Sequence, residues 1–150
     1  MKKELFGEFW LPDDSDTPCI LYEGWKIIKH VSYGNSFLWN PNQVEFYIHP
    51  KQTKTTAISG NELLEHLQGE NVFNANVLYR LLNNPKAIPN QWKMDDKDYF
   101  RYIYFWGTVY EYEGKKFVLC MFWNGACWQW SIAWLSGIWM ANDPALIKKM

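Results

Sequence analysis

Length, composition and charge exclude several classes of protein. The chain has 150 residues, of which 19% are aromatic and 21% charged, and its formal net charge is −1. This balance gives no electrostatic basis for binding duplex nucleic acid or an anionic membrane surface. A chain of this length predicts a single domain, residues 1–150, that can bury a substantial core.

The first half of the chain predicts strands followed by helices. An acidic, proline-containing stretch at residues 11–18 predicts a solvated loop rather than a calcium site. Between residues 25 and 49, apolar and polar residues alternate, most clearly from Val44 to Ile48, and this period of two is typical of half-buried strands. Turn-forming residues at 33–35 and 40–42 separate these runs.

Two short helices are predicted next. Ser59 and Glu62 form a capping box at the start of the first helix, and Gly69 closes it. Asn74 caps the second helix, which ends before Pro85. Neither helix is long enough to be stable alone, so both must pack against other elements.

Residues 100–139 predict a meander of three antiparallel strands, around which the rest of the chain is organised. Asn124-Gly125 is the strongest short hairpin signal in the sequence, and Glu113-Gly114 is a weaker one. If each loop has two residues, the side-chain period of two fixes the register. The predicted partners are Tyr110 with Phe117, Thr108 with Leu119, Trp106 with Met121, Met121 with Trp128, Leu119 with Trp130, and Phe117 with Ile132.

This register divides the meander into two unequal faces. The heavier face collects large side chains: Tyr102, Tyr104, Trp106, Tyr110, Phe117, Leu119, Met121, Trp123, Trp128, Trp130, Ile132 and Trp134. Exposed apolar patches of that size are unusual on a soluble monomer, so we expect both helices to cover this face and to bury Trp130 and Leu119. The predicted fold class is α+β: an antiparallel sheet, built from the Trp-rich C-terminal meander and the N-terminal strands, with two short helices packed on one face.

The lighter face is the predicted interaction surface. It is too apolar for a solvated surface and too polar for a second core, and interfaces combine an apolar centre with a polar rim in this way. The residues assigned to it are Phe105, Val109, Val118, Phe122, Gln129 and Ser131. Its cover is expected to be either the strands of residues 25–49 or another molecule, including a second copy of the chain.

The last residues predict a short helical turn, and no segment predicts a membrane span. Pro144 follows Asn142-Asp143 and suits the first position of a helix over Ala145 to Lys149. The uncharged span 117–142 is long enough to cross a membrane, but its period of two and its turn residues favour a hairpin.

No pattern of catalytic chemistry stands out. His30, His49 and His66 lie outside any metal or nucleophile motif, and phosphate-binding, dinucleotide-binding and metalloprotease motifs are missing from the sequence. We therefore assign no catalytic, cofactor-binding or metal-binding residue, and an enzyme is the less favoured class. The three cysteines lack zinc-site spacing and predict buried, free thiols in a reducing compartment: Cys19, Cys120 and Cys127.

A further pattern resembles a group of short bacterial proteins that have no established activity. Its elements lie between residues 74 and 145: Asn74-Ala75-Asn76-Val77-Leu78, Leu81-Leu82, Asn84-Pro85, Ile88-Pro89, Trp92-Lys93, Phe105-Trp106-Gly107-Thr108-Val109-Tyr110, Trp123, Gly125, Trp128, Trp130, Trp134-Leu135 and Pro144-Ala145. The chain departs from the group at Tyr79, where an acidic residue is usual, and at Gln129 and Ser131, where charged or larger polar residues are common. The resemblance implies a shared fold and transfers no function.

These observations together predict a non-enzymatic interaction module of bacterial or bacteriophage type. Its expected location is the cytoplasm, and its expected partner is an unidentified protein or a second copy of the chain. The alternative is an aromatic-platform binding domain for carbohydrate or single-stranded nucleic acid, in which exposed Trp, Tyr or Phe rings stack on the ligand. The exposure of the tryptophans separates the two hypotheses.

Overall fold

The computed structural model of the chain describes residues 9–10, 22–33 and 38–149, with only the backbone at residues 9, 10 and 38. The predicted loop at residues 11–18, Cys19 and most of the turn at 33–35 lie outside these residues. The elements are β1 (Phe9–Trp10), β2 (Lys26–His30), β3 (Leu38–Trp39), β4 (Val44–Tyr47), β5 (Ile58–Ser59), α1 (Gly60–His66), α2 (Ala75–Asn83), β6 (Tyr102–Tyr112), β7 (Lys115–Trp123), β8 (Trp128–Trp134), β9 (Ile138–Trp139) and β10 (Ala145–Lys148).

The main sheet is mostly antiparallel. Its order is β4-β10-β6-β7-β8, and β2 pairs with the remaining length of β6. The exception is β10, which meets β6 in parallel where Ala145 lies beside Tyr104. Two small sheets, β1 with β3 and β5 with β9, flank it. The α+β class, with an antiparallel sheet that includes the Trp-rich meander, is confirmed.

The two hairpin turns differ from each other. Glu113 and Gly114 both have positive φ, 51° and 80°, as a two-residue type I′ turn requires, and the pairing of Tyr110 with Phe117 is confirmed. The second loop has four residues, from Asn124 to Cys127, because the Asn124 side chain accepts hydrogen bonds from two following amides.

The longer second loop changes the pairing between β7 and β8. Leu119 lies opposite Ile132 and Met121 opposite Trp130, so the predicted pairs of this hairpin are wrong by two residues. A shift of two residues leaves every side chain on its predicted face.

A bulge in β6 has a larger effect, because it exchanges the faces of the strand. Phe105 pairs with Leu119 and Tyr110 with Phe117, so five steps along β6 correspond to two along β7. The three extra residues are an odd number and reverse the alternation. The predicted pairs of Thr108 with Leu119 and of Trp106 with Met121 are therefore wrong.

The structure consequently has a core on each face of the sheet. On the heavier face, Ile103 and Phe105 join Phe117 and Leu119 beneath α2. On the other face lie Tyr104, Trp106, Val109, Val118 and Cys120, covered by α1, β5 and β9. The two helices pack on opposite faces, and the expectation that both cover the heavier face is wrong because the bulge turns Tyr104 and Trp106 away from it.

Both helices begin where the sequence predicts, but the capping box of α1 is only half formed, because the Glu62 carboxylate pairs with Lys51 instead of the Ser59 amide. The Ser59 hydroxyl accepts a hydrogen bond from the Glu62 amide, and Asn74 Oδ1 accepts from the amides of Asn76 and Val77. Asn74 is completely buried, and its Nδ2 donates to the Val31 carbonyl at 2.9 Å. The second cap thereby ties α2 to the segment that follows β2.

The C-terminal segment is a strand, and the predicted helical turn over residues 145–149 is wrong. β10 lies between β4 and β6, with Leu146 opposite Phe46. Leu146 contributes to the first core, while Ala145 and Ile147 contribute to the second. Side chains on both faces of β10 are therefore buried. This burial stabilises the strand although Pro144 locally favours the start of a helix. Within the described residues, no helix is long and apolar enough to span a membrane.

Candidate functional site: a groove beside β4 and the start of β6

A groove runs along one end of the main sheet. Two adjoining cavities of about 490 and 650 Å³ share four lining residues: Phe46, Asp95, Asp96 and Arg101. The walls come from three separate parts of the chain, residues 46–54, residues 90–101 and residues 140–144, with Trp123 at one end. Volumes of this size are typical of ligand sites.

Arg101 is the fixed cation of the groove. It precedes β6, and its guanidinium carbon lies 4.4 Å from the centroid of the Phe46 ring. Its Nη1 donates a hydrogen bond to the Gln91 carbonyl at 3.0 Å. Partial burial lowers the pKa of Arg101, while Asp95 and Asp96 act in the opposite direction. A guanidinium remains charged at neutral pH, so the groove holds a half-buried positive charge in one orientation.

An ordered acidic turn forms one wall. The Asp95 carboxylate accepts hydrogen bonds from the amides of Lys97 and Tyr99, at 2.9 and 3.0 Å. The backbone closes the same turn, since the Asp95 amide donates to the Tyr99 carbonyl at 2.9 Å. Asp98 has a φ of +64°, a conformation that aspartate tolerates in turns. The turn presents the Tyr99 ring, which is 53% exposed.

Two further cations lie over aromatic rings of the groove. Lys54 Nζ is 5.2 Å from the centroid of Tyr99, and Lys93 Nζ is 3.7 Å from the centroid of Trp123. With Lys97 and Arg101, the lining carries four cations against the two carboxylates of Asp95 and Asp96. The groove therefore combines aromatic surface with a positive balance of charge.

Buried hydrogen bonds hold the opposite wall in place. The Gln52 side chain is 3% exposed, and its amide donates to the carbonyls of Met140 and Asp143 at 3.0 and 2.9 Å. Asp143 Oδ2 in turn accepts from the Met140 amide at 2.9 Å. Burial raises the pKa of Asp143, an effect that this hydrogen bond partly offsets. Both walls are thus positioned before any ligand binds.

The structure separates the six residues of the predicted interaction surface. Val109 and Val118 are buried under α1 and β9, and Phe105 is buried in the opposite core, so its assignment to this face is wrong because of the bulge. Phe122 is half-buried against Tyr102, with ring centroids 5.2 Å apart. The two exposed members are on β8: Gln129 and Ser131.

The expected cover of that face is also corrected. The buried part of that face is covered by the α1, β5 and β9 segments of the same chain, and the segment of residues 25–49 contributes only the half-buried Val31 and Tyr47. On the heavier face, the burial of Leu119 is confirmed at 1% exposure. The near-complete burial expected for Trp130 is wrong, because β8 is the last strand of the sheet and leaves this ring half-exposed.

The titratable groups in the rest of the described residues do not build a second site. The rings of His49 and His66 lie 4.3 Å apart on the surface, and slight burial together with His66 lowers the pKa of His49. Among the described residues, no group of three or more His, Cys, Asp or Glu side chains is placed to hold a metal. Cys120 and Cys127 are free thiols, but Cys127 is exposed, and the prediction that it is buried is wrong because it lies in the loop between β7 and β8. Burial raises the pKa of Cys120 to about 12, so this thiol stays protonated at neutral pH.

The sequence carries only a weak signal for the groove. Its residues are scattered along three segments, and the acidic stretch near Asp95 is an ordinary loop by composition. The one sequence feature that points to the groove is the proximity of aromatic residues to Lys93 and Lys97. Comparison of the chain with protein-family models, curated proteins and solved structures found no match.

Proposed function

We propose that the protein is a non-enzymatic binding module and that the groove takes up an extended segment of a polypeptide partner. The observation that carries this proposal is Arg101, which is held half-buried against Phe46 beside the exposed ring of Tyr99. A cation fixed in advance next to aromatic surface reduces the ordering that binding requires. Arg and Tyr are also the side chains in which binding energy tends to concentrate.

The charge of the lining defines the chemistry of the partner. Four cations face two carboxylates, so an acidic segment gains more from the groove than a neutral or basic one. Exposed apolar surface at Ile48 and Met94 adds room for an aromatic or aliphatic side chain. The partner segment is therefore acidic and carries at least one large apolar residue. Two free cysteines support a reducing, cytoplasmic location.

Stacking of sugars or unpaired bases is the second candidate, and the exposure of Tyr99 favours it. Against it, cations already lie over the rings of Phe46, Tyr99 and Trp123 and reduce the ring surface open to a ligand. Three tryptophan side chains are also fully buried in the two cores and closed to a ligand: Trp39, Trp106 and Trp139. A polypeptide ligand uses the cations and the apolar surface together.

A peptide-display selection tests the proposal. The immobilised wild-type protein should enrich peptides that combine Asp or Glu with an aromatic residue. Enriched peptides should lose about tenfold or more in affinity on Tyr99→Ala and on Arg101→Gln, as truncation of central anchors does. Tyr79→Ala and Lys115→Gln, which change an exposed tyrosine and an exposed lysine outside the groove, are the matched controls and should bind as wild type.

Two results would overturn the proposal. The first is a peptide-display selection that enriches no sequence class, or that enriches peptides with the same affinity for all four variants. The other is micromolar binding of a mixed-sequence single-stranded oligonucleotide that weakens steeply with salt and is lost in Tyr99→Ala. That result would promote the stacking hypothesis.

A further inference from the structure

The outer edge of β8 is unpaired within the described part of the chain. The strand is the last in the sheet order, and its seven residues pair on one side with β7 without interruption. Hydrogen bonds from the Asn124 amide to the Cys127 carbonyl and from the Leu135 amide to the Lys116 carbonyl bracket this ladder. By the alternation of an antiparallel pair, the backbone groups of four residues point to the free edge: Trp128, Trp130, Ile132 and Trp134.

This edge lacks the features by which sheets usually prevent edge-to-edge pairing. Proteins protect free edges with charged residues, proline or bulges. The β8 sequence from Trp128 to Trp134 contains no charge and no proline, and its register with β7 has no bulge. Its side chains are only partly buried, and Trp134 is 37% exposed. The strand offers uncovered aromatic area and backbone groups that are unused among the described residues except for the Ile132 carbonyl, which accepts a long hydrogen bond of 3.5 Å from the Ser131 hydroxyl.

We propose that β8 pairs antiparallel with β8 of a second copy, about a two-fold axis at Ser131, and so joins two sheets into one. In this register all seven residues of each strand are paired. Trp128 lies opposite Trp134 of the second copy and Trp130 opposite Ile132, so large side chains meet on one face. Moving the axis by one residue along the strand leaves two residues at one end of each β8 without a partner in the other β8.

Self-pairing also fits the charge and size of the strand. An uncharged strand brings no like charges together when it meets its own copy. On the lighter face, Ser131 meets Ser131 of the second copy, flanked by Gln129 and Ala133, and these side chains are small enough for close approach. The backbone of Ser131 faces β7, so the two serines form a non-hydrogen-bonded pair, the closer type, with Cα atoms about 4.5 Å apart. This inference does not depend on the groove or its ligand.

Site-specific crosslinking tests the register. In a background of Cys19→Ser, Cys120→Ala and Cys127→Ser, which also removes the thiol that lies opposite residue 131 on β7, Ser131→Cys should form a disulfide-linked dimer under mild oxidation, because the Cα atoms of the two copies of residue 131 lie within disulfide range. Gln129→Cys is the matched control, since the two copies of residue 129 would be roughly 13 Å apart along the paired strands. The dimer yield at residue 131 should exceed that at residue 129 by about tenfold or more.

Sedimentation of the unmodified chain keeps the test independent of the cysteine variants. Wild type should show a concentration-dependent monomer–dimer equilibrium, and Ser131→Asp, which places two like charges opposite each other, should weaken the dimer by about tenfold or more. A wild-type chain that stays monomeric up to about millimolar concentration, where even weak specific association is visible, overturns the proposal. Equal crosslinking at residues 131 and 129 overturns it as well.

Discussion

Gly107 and Phe73 are joined backbone to backbone. The Gly107 amide donates to the Phe73 carbonyl at 2.8 Å, and a Cβ on Gly107 would lie 2.5 Å from that carbonyl oxygen. This contact sits inside the β6 bulge, immediately before Thr108, whose hydroxyl accepts from the Ala75 amide at the start of α2. The bulge is therefore the point where α2 docks onto the sheet, and it also determines which side chains face each core.

Gly107→Ala should destabilise the protein by about 3 kcal/mol, the upper part of the range for overpacked sites. The backbone of Phe73 cannot move without displacing α2, so the strain cannot relax locally. Gly137→Ala is the control, because the nearest atom to its added Cβ lies 3.1 Å away and the site is exposed. Denaturant unfolding of both variants measures the difference. Equal stability of the two variants would show that the docking contact tolerates a side chain.

Truncation of tryptophans should distinguish the core from the edge of the sheet. Trp106 is fully buried, with its ring centroid 5.3 Å from that of Trp139, so Trp106→Ala should cost about 3–5 kcal/mol. Trp130 is only half-buried on β8, so Trp130→Ala should lower the free energy of unfolding by less than half as much. Thermal unfolding of the two variants gives the comparison. A larger loss for Trp130→Ala would contradict the placement of β8 at the edge.

The cap of α2 should contribute more to stability than the cap of α1. Asn74→Ala removes the acceptor of two helix amides and the donor to the Val31 carbonyl, so the expected loss is about 2–3 kcal/mol. Ser59→Ala removes one acceptor at a half-buried position, and the expected loss is about 1 kcal/mol. Chemical denaturation of both variants checks the order, and the reverse order would contradict it.

Asp143 should make the protein less stable as the pH rises through the range of carboxyl titration. Burial raises the pKa of Asp143 above its ordinary value of 3.8. The folded state therefore holds the proton more tightly than the unfolded state, and stability falls with increasing pH between the two pKa values. Asp143→Asn keeps an acceptor for the Met140 amide and removes the titration.

The free energy of unfolding of Asp143→Asn, measured relative to wild type, should consequently rise from pH 4 to pH 7. Denaturant titrations at several pH values in this window give the trend. A difference that is constant with pH, or one that falls, would show that Asp143 titrates normally in the folded protein.

Local chemistry explains which parts of the fold the sequence predicts. The caps at Ser59 and Asn74 and the turn at Glu113-Gly114 each depend on neighbouring residues, and all three are present in the structure. The bulge at Gly107 depends on Phe73, 34 positions earlier in the sequence, and no local pattern reveals that contact. The C-terminal strand likewise forms because β4 and β6 leave room for it, although Pro144 favours a helix start.

The groove could not be predicted from the sequence, because it too depends on contacts between distant segments. Phe46, Arg101 and Asn142 come from distant segments and meet only when β4, β10 and β6 are assembled. Of the residues predicted on the lighter face, Val109 and Val118 are buried, and Phe105 lies in the opposite core because the prediction assumed an unbroken register. Once the bulge places Trp106 there, that face becomes a core.

The most direct test of the binding groove is an NMR titration of the isotope-labelled protein with a peptide enriched by the selection. Amide shifts should change at Tyr99, Arg101 and Asn142, together with the indole signal of Trp123, which lines the same groove. The amides of β8 should stay unchanged at constant protein concentration. Shifts confined to residues 128–134, or spread evenly over the chain, would contradict the assignment of the groove as the binding site.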